Sequence, residues 1–186
     1  RQIGEKYIRE LQQKLIKDDC YIPGFKNEDP ADLAKKAKVQ ATSEASGYEA
    51  ANILSGVTRR IGENTNCWRS CGFSKDGEKL MLTFEREQTI REVRIVFDTN
   101  LSCEMTISLS SKKQAQQIPT LPVELVKDYD LQLLRQGQPV AEVSVKDNAR
   151  RLAVHAFDGV LADTVVLNCR TSYGADFAAV YEVRVY

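Results

Sequence analysis

The residue types that carry acid–base or nucleophilic chemistry are sparse in this chain of 186 residues. His155 is the single histidine, so most Ser-His-Asp and Cys-His arrangements would have to pass through it. It stands in an alternating run on the face opposite to Leu152, Val154 and Ala156, which predicts a solvated or edge-packed imidazole. The motifs of nucleotide-binding loops, zinc proteases and serine hydrolases do not occur. We therefore expect that the chain is not itself an enzyme, although its 26 acidic residues leave a catalytic carboxylate pair open.

The cysteines do not suggest a disulfide framework, because their number is odd and their spacing is irregular. Cys67 and Cys71 flank Trp68 at a spacing that suits half of a metal site. Structural zinc, however, needs four Cys or His ligands, and the sequence offers no partner motif. We expect buried thiols and no zinc. The other cysteines are Cys20, Cys103 and Cys169.

Trp68 is the single tryptophan, and its neighbours in sequence are polar. Amide groups precede it at Asn64 and Asn66, and a guanidinium group follows at Arg69. An aromatic ring among such groups can stack on a sugar while its neighbours bind the hydroxyls. A large aromatic residue can equally plug one end of a small β domain. Of the two interpretations, the sequence favours the plug.

The first residues predict an amphipathic helix, because apolar side chains recur at spacings of three and four. Its apolar face includes Ile3, Ile8, Leu11 and Leu15, and we expect these residues to be buried against a neighbour. The helix ends before a connector rich in turn residues, 23–30. We therefore divide the chain into a helix and connector at 1–30 and a second unit at 31–186, in which 31–38 adds a short helical turn.

From Lys38 onward the hydrophobic pattern alternates with period two, which is typical of half-buried strands. Turn residues separate the runs at 76–77, 136–139, 158–159 and 172–174. Such spacing predicts an all-β, antiparallel sandwich or barrel. We predict strands at Val39–Thr42, Leu80–Phe84, Glu92–Asp98, Met105–Leu109, Leu131–Arg135, Val140–Lys146, Arg150–Phe157, Thr164–Cys169 and Ala178–Tyr186.

The stretch from Ser43 to Lys79 is too long for a bare loop in a compact domain. Residues 48–56 carry an apolar run closed by Gly56, which predicts one helical turn with a glycine cap. Long excursions between strands often carry binding residues, because the strands hold them rigidly.

Composition excludes two classes of partner. The 26 basic residues balance the 26 acidic ones, so no electrostatic footprint for nucleic acid or an anionic membrane is present. No apolar run reaches the roughly 18–20 residues of a membrane-spanning helix, and the first residues lack the apolar segment of a signal peptide. The chain starts on a helical pattern without Met, as an excised segment of a longer protein would. Its compartment stays unknown, with the cytoplasm, the periplasm and secretion all open.

Several segments, in this order, resemble the discoidin or coagulation factor 5/8 type C family of galactose-binding-like jelly rolls. The resemblance covers 38–186 and implies a jelly-roll β-sandwich. The segments are Val39-Gln-Ala-Thr-Ser43, Ala50-Ala-Asn-Ile-Leu-Ser-Gly56, Trp68-Arg-Ser70, Leu80-Met-Leu-Thr-Phe84, Ile90-Arg-Glu-Val-Arg-Ile95 and Ala179-Val-Tyr-Glu-Val-Arg-Val185.

The resemblance also implies where a ligand would bind. In these jelly rolls the first and last strands lie side by side, so the loops 43–79 and 171–177 would share one end. The expected ligand is a carbohydrate or a similar small polar molecule. The candidate binding residues at that end are Tyr48, Arg59, Asn64, Asn66, Trp68, Arg69, Tyr173 and Asp176.

Many relatives in that family hold a structural calcium ion. Asn52, Gly56 and Glu182 match their pattern, but Ser55 stands where an aspartate is expected. Calcium favours carboxylates among its six to eight oxygen ligands, so this degenerate site is expected to hold no metal.

A looser resemblance concerns the context of the domain. The segments 7–15, 20–24, 97–101 and 123–130 are similar to the C-terminal end of large bacterial FAD-dependent oxidoreductases. This implies an accessory domain whose FAD site would lie upstream, in a catalytic domain of the same parent chain.

Two functions follow as hypotheses. The first is a noncatalytic module that binds a carbohydrate through its loops. The alternative is a structural docking domain that packs against the catalytic part of the parent enzyme, which would leave an apolar patch exposed here.

Overall fold

The computed structural model describes residues 26–101, 103, 109–115, 117 and 120–186. The predicted N-terminal helix lies outside these residues, and so does the predicted strand Met105–Leu109 except for Leu109. The burial of Ile3, Ile8, Leu11 and Leu15 therefore stays a prediction. No helix in the described part of the chain has the length and apolarity that crossing a membrane requires.

The described residues form seven strands and three short helical segments. The strands are β1 (Lys38–Ala41), β2 (Trp68–Arg69), β3 (Glu78–Phe97), β4 (Val126–Arg135), β5 (Gln138–Val145), β6 (Leu152–Ser172) and β7 (Ala179–Val185). Single 3-10 turns occupy Leu33–Lys36 and Ala50–Leu54, and a one-turn helix, α1, spans Ser111–Gln114. Both 3-10 turns fall where the sequence predicts short helical turns.

Strands β3 and β6 are long enough to belong to both layers of a sandwich. They pair antiparallel in two ladders, which are separated where residues 84–87 of β3 lie opposite Asp163 alone. The front layer has the order β1-β3-β6-β4-β5, and the back layer has the order β6-β3-β7-β2. The rings of Phe97 in the back layer and Tyr129 in the front layer have centroids 5.0 Å apart, so the layers face each other. The predicted antiparallel all-β sandwich is confirmed.

One apolar core fills the space between the layers. Along β3, Leu80 and Leu82 are fully buried, and Ile90 and Ile95 continue the buried face in the back layer. In the front layer Leu167 lies between Leu80 and Leu131 on neighbouring strands, and all of these residues belong to one core cluster. Full burial of such side chains contributes about 1.5–3 kcal/mol each, so the alternating pattern fixes the direction in which each strand faces.

Two predicted turns have different outcomes. Gln136 and Gly137 connect β4 and β5 with φ of 51° and 76°, and both positive angles suit the twist of a two-residue hairpin. Gly159, at φ 65°, was predicted to be in a turn, but it lies inside β6. The register with β3 is irregular beside it, between Ile90 and Glu92. A bulge here allows β6 to continue, and a turn would have ended it.

His155 faces the opposite way from the prediction. Leu152 and Val154 are about half exposed, at 50% and 49%, whereas Ala153 is 5% exposed. His155 shares the inward face with Ala153, and its Nε2 lies 2.9 Å from the hydroxyl oxygen of Tyr129. The prediction of a solvated face was wrong because Ala153 packs inward beside His155, whereas the larger apolar residues Leu152 and Val154 mark the outer face.

The first and last strands both pair with β3 and not with each other, which corrects the arrangement implied by the resemblance. The long loops nevertheless share one end. In the front layer the ladder of β3 and β6 ends at Glu78 and Cys169, and in the back layer it ends at Val96 and Leu152. Both ends lie far from residues 84–87 and Asp163, where β3 and β6 pass from one layer to the other. We call this the loop end, and it comprises 42–77, 146–151, 173–178 and the described part of 98–125.

Candidate binding site at the loop end

The short strand β2 places two neighbouring side chains on opposite sides of the back layer. Trp68 pairs with Val180 and Arg69 pairs with Ala179. Trp68 is fully buried, and its Nε1 donates a hydrogen bond of 3.0 Å to the carbonyl oxygen of Ser43. Its ring therefore cannot stack on a ligand, which confirms the predicted plug and corrects the inclusion of Trp68 among the candidate binding residues.

Arg69 points the other way, to the surface of the loop end. Its guanidinium carbon lies 4.5 Å from the ring centroid of Tyr48 and 4.7 Å from that of Phe177. Contacts of a guanidinium with aromatic faces restrict its motion and are attractive. Its Nη2 donates a hydrogen bond of 3.1 Å to Oδ2 of Asp98. Burial alone would lower the pKa of Arg69, but the Asp98 carboxylate raises it above its ordinary value, so the side chain stays charged.

Asp98 connects Arg69 to the loop that follows β3. It is 1% exposed, and its Oδ1 accepts a hydrogen bond of 2.8 Å from the backbone nitrogen of Asn100. Asn100 adopts a left-handed conformation at φ 50°, and its side-chain nitrogen donates to Oε1 of Glu124 at 2.9 Å. The ion pair and these two bonds join β2, the end of β3 and the segment before β4. The site is thus preorganised before any ligand arrives.

These groups surround a cavity of about 200 Å³, which we call the Arg69 cavity. Its polar lining comes from three loops, and the rings of Tyr48 and Tyr181 supply apolar surface. Pockets that enclose drug-sized ligands measure about 300–1,000 Å³, so this cavity suits one small polar ring. The lining side chains that can form hydrogen bonds are Tyr48, Arg60, Thr65, Arg69, Asp98, Asn100 and Tyr181.

The structure brings together only part of the predicted set. Tyr48 and Arg69 line the cavity, whereas Arg59, Asn64 and Asn66 lie on the adjoining exposed loop. Within that loop the side-chain nitrogen of Asn66 donates to the carbonyl oxygen of Arg59 at 3.1 Å, which shapes the loop. Their neighbours Arg60 and Thr65 are the residues that reach the cavity.

Tyr173 and Asp176 belong to the loop end but not to the cavity. The ammonium group of Lys127 lies 5.9 Å from the ring centroid of Tyr173, near the start of β4. Asp176 lies beside Gly72. Sequence reasoning missed Asp98 and Asn100 as site residues. The signal was present, because a polar run follows a strongly apolar strand at Phe97, and such positions lie at a strand end where loops meet.

The residues that match the degenerate calcium pattern form hydrogen bonds within the protein. The side-chain nitrogen of Asn52 donates to the carbonyl oxygen of Cys67 at 3.1 Å. The hydroxyl of Ser55 accepts a bond of 3.2 Å from the backbone nitrogen of Val57, and Oε2 of Glu182 lies 2.8 Å from Nε of Arg184. The expectation that these residues bind no calcium stays a prediction.

Two cysteines near the cavity have different environments. Cys67 is buried, and burial raises the pKa of its thiol, so it is not an activated nucleophile. Cys71 is exposed, and its thiol donates to the carbonyl oxygen of Glu44 at 3.2 Å. Among the described residues, no group of three or more His, Cys, Asp or Glu side chains could hold a metal ion.

Comparison with solved structures shows what fold the chain has. The lectin domain of lectinolysin, solved with Lewis B antigen, matches with a TM-score of 0.63 at 15% identity, over 85% of this chain and 97% of that domain. A fucose-binding module from Streptococcus pneumoniae matches with a TM-score of 0.63 at 9% identity, over 84% and 97%. A family 32 carbohydrate-binding module from C. perfringens, solved with galactose, matches with a TM-score of 0.57 at 16% identity, over 82% and 94%.

No protein-family model and no curated protein sequence matches this chain. The structural neighbours are less similar in sequence than function transfer requires, so they establish the fold and not the ligand. The predicted galactose-binding-like β-sandwich is confirmed at the level of the fold.

Proposed function

We propose that this chain is a noncatalytic carbohydrate-binding module that holds one sugar residue in the Arg69 cavity. The observation that carries the proposal is the ion pair of Arg69 and Asp98, fixed between two aromatic rings at the loop end of a fold shared with sugar-binding modules. A sugar hydroxyl both donates and accepts hydrogen bonds, and this pair offers a donor beside an acceptor.

The geometry also limits the cost of binding. The guanidinium group of Arg69 is already held by Tyr48, Phe177 and Asp98, so little side-chain freedom remains to be lost when a ligand arrives. Arg60 and Thr65 extend the hydrogen-bonding surface from the adjoining loop. The ring of Tyr48 supplies an apolar surface of the kind on which sugar rings pack.

The proposal is tested by titrating the purified chain with galactose and fucose, followed by calorimetry or ligand-observed NMR. We expect Arg69→Gln to abolish binding. Because Arg69 also supports the loops, Arg60→Gln provides the second variant, since Arg60 is exposed and its loss should weaken binding without lowering the melting temperature. The control is Arg86→Gln, which removes an exposed arginine at the opposite end of the sandwich. If no sugar binds the wild-type chain, the proposal fails.

The wider context that we propose is an accessory domain of a larger, FAD-dependent oxidoreductase. It is supported by the sequence resemblance at 97–101 and 123–130. The upstream part of the gene tests it, because a dinucleotide-binding strand-turn-helix unit should precede the domain. If the upstream sequence encodes another kind of domain, this context is wrong.

A docking role is the second candidate, and one observation favours it. Leu152, Val154 and Leu161 are 50%, 49% and 38% exposed on β6, which forms the edge of the back layer. Exposed apolar side chains on an edge strand suit a protein partner. Changing Leu152 and Val154 to Ser should release the catalytic part of the parent protein in a pull-down and leave sugar binding intact. If the pull-down is unchanged, the docking role has no support from this edge.

A further inference from the structure

A second cavity opens at the loop end, on the side remote from β7. It has a volume of about 360 Å³ and lies between the start of β4 and the start of β6. We call it the His155 groove. The lining residues used below are Tyr129, Val145, Lys146, Arg150, Ala153 and His155, and none of them lines the Arg69 cavity.

The groove is held in shape by one buried amide. Asn148 is 6% exposed, and its side-chain nitrogen donates to the carbonyl oxygens of Val126 at 2.9 Å and Arg150 at 3.1 Å. Its side-chain oxygen accepts from the backbone nitrogen of Arg150 at 3.0 Å. The loop 146–150 is thereby fixed to the start of β4, so the groove exists without a ligand.

The base of the groove is polar but uncharged. The hydroxyl of Tyr129 and Nε2 of His155 are 2.9 Å apart, and they come from opposite layers. Burial lowers the pKa of His155 and raises that of Tyr129 to about 12, so both groups are neutral near pH 7. Val145 and Ala153 supply apolar surface beside them.

The mouth of the groove carries two cations. Lys146 and Arg150 are exposed, and neither forms an ion pair with a described residue. The acidic neighbours are already engaged. Oδ1 of Asp147 lies 3.3 Å from Nζ of Lys127, and the two carboxylate oxygens of Asp128 accept bonds from the backbone of Asp147 and the hydroxyl of Thr171.

We propose that the His155 groove binds a small ring-bearing carboxylate, such as an acidic monosaccharide. The carboxylate pairs with Arg150 and Lys146 at the mouth, because charge-assisted hydrogen bonds are the strongest that these groups form. The ring lies against Val145 and Ala153, and its hydroxyls reach the Tyr129 and His155 pair. This site is independent of the Arg69 cavity.

His155 provides a direct readout, because it is the single histidine and every imidazole C–H signal in proton NMR therefore belongs to it. The probe is glucuronate, and glucose is the matched neutral ring. At constant ionic strength, glucuronate should shift the His155 signal with a Kd of about 1 mM, and glucose should not. Arg150→Gln and Lys146→Gln should each raise the Kd for glucuronate about tenfold, because each removes a charge-assisted bond. Both residues are exposed, so the variants should fold.

Arg86→Gln, which removes a charge at the opposite end, should leave the glucuronate titration unchanged. If glucose shifts the His155 signal as strongly as glucuronate, the carboxylate class is wrong. If glucuronate does not shift the His155 signal, or if Arg86→Gln raises the Kd for glucuronate as much as Arg150→Gln does, the site itself is refuted. If the proposal for the groove fails, the proposal of sugar binding in the Arg69 cavity still stands, because different variants, Arg69→Gln and Arg60→Gln, test it.

Discussion

The Arg69 cavity and the His155 groove lie at the same end of one sandwich, but different chemistry holds them together. An ion pair between Arg69 and the buried Asp98 fixes the cavity, whereas a neutral amide, Asn148, fixes the groove. The polar base of the groove is the neutral pair of Tyr129 and His155. The comparison shows that one fold can preorganise loops with charge or without it. The two sites should therefore differ in how they respond to charge removal, amide removal and pH.

The largest difference is expected when one carboxylate is neutralised in each region. Asp98→Asn leaves the guanidinium of Arg69 half-buried without its counterion, and we expect a loss of about 1–3 kcal/mol in the free energy of unfolding. Asp147→Asn is the matched control, because Asp147 is exposed, pairs with an exposed lysine, and its left-handed φ of 53° suits Asn. Urea unfolding measures both variants. Equal effects would show that the cavity does not depend on its ion pair.

Removal of the buried amide should act on the groove. Asn148→Ala deletes hydrogen bonds to Val126 and Arg150 and leaves buried backbone groups unsatisfied, which should cost about 1–2 kcal/mol. The exposed Asn64 gives the control, since Asn64→Ala should change stability by less than about 0.5 kcal/mol. Hydrogen exchange should show faster opening of 146–150 in Asn148→Ala alone. Uniform exchange in both variants would contradict the role of Asn148.

The smallest effect is a pH dependence confined to the groove. Burial lowers the pKa of His155 below its ordinary value of 6.5, so the unfolded chain takes up the proton first as the pH falls. The contribution of His155 to stability is thus fully present above about pH 6.5 and is lost as the pH falls through its lower folded value. Unfolding curves at about pH 7.5 and about pH 5.5 should show this loss in the wild type and a smaller one in His155→Gln. Identical pH profiles would mean that the imidazole is not shielded from solvent.

The sequence located most of the strands and the class of fold, although it divided β3 and β6 into two strands each and missed β2. The period-two pattern from Leu80 to Phe84 and from Ala179 to Val185 predicts half-buried strands, and both segments are strands in the structure. The hairpin at Gln136 and Gly137 was also predictable, because local turn chemistry decides it. These features follow from short-range patterns that do not depend on which residues meet in space.

Tertiary structure alone decided which face of a strand is inside and which loops meet. The alternating pattern around His155 allows either face of the strand to be buried. Packing against Tyr129 places the imidazole of His155 on the inner face. Trp68 and Arg69 are adjacent in sequence, yet pairing of β2 with β7 buries one and presents the other to the surface. Asp98 comes directly after Phe97, but its carboxylate pairs with Arg69, which lies 29 residues earlier in the sequence. Such contacts depend on how β3 and β6 fold across both layers, which no local pattern encodes.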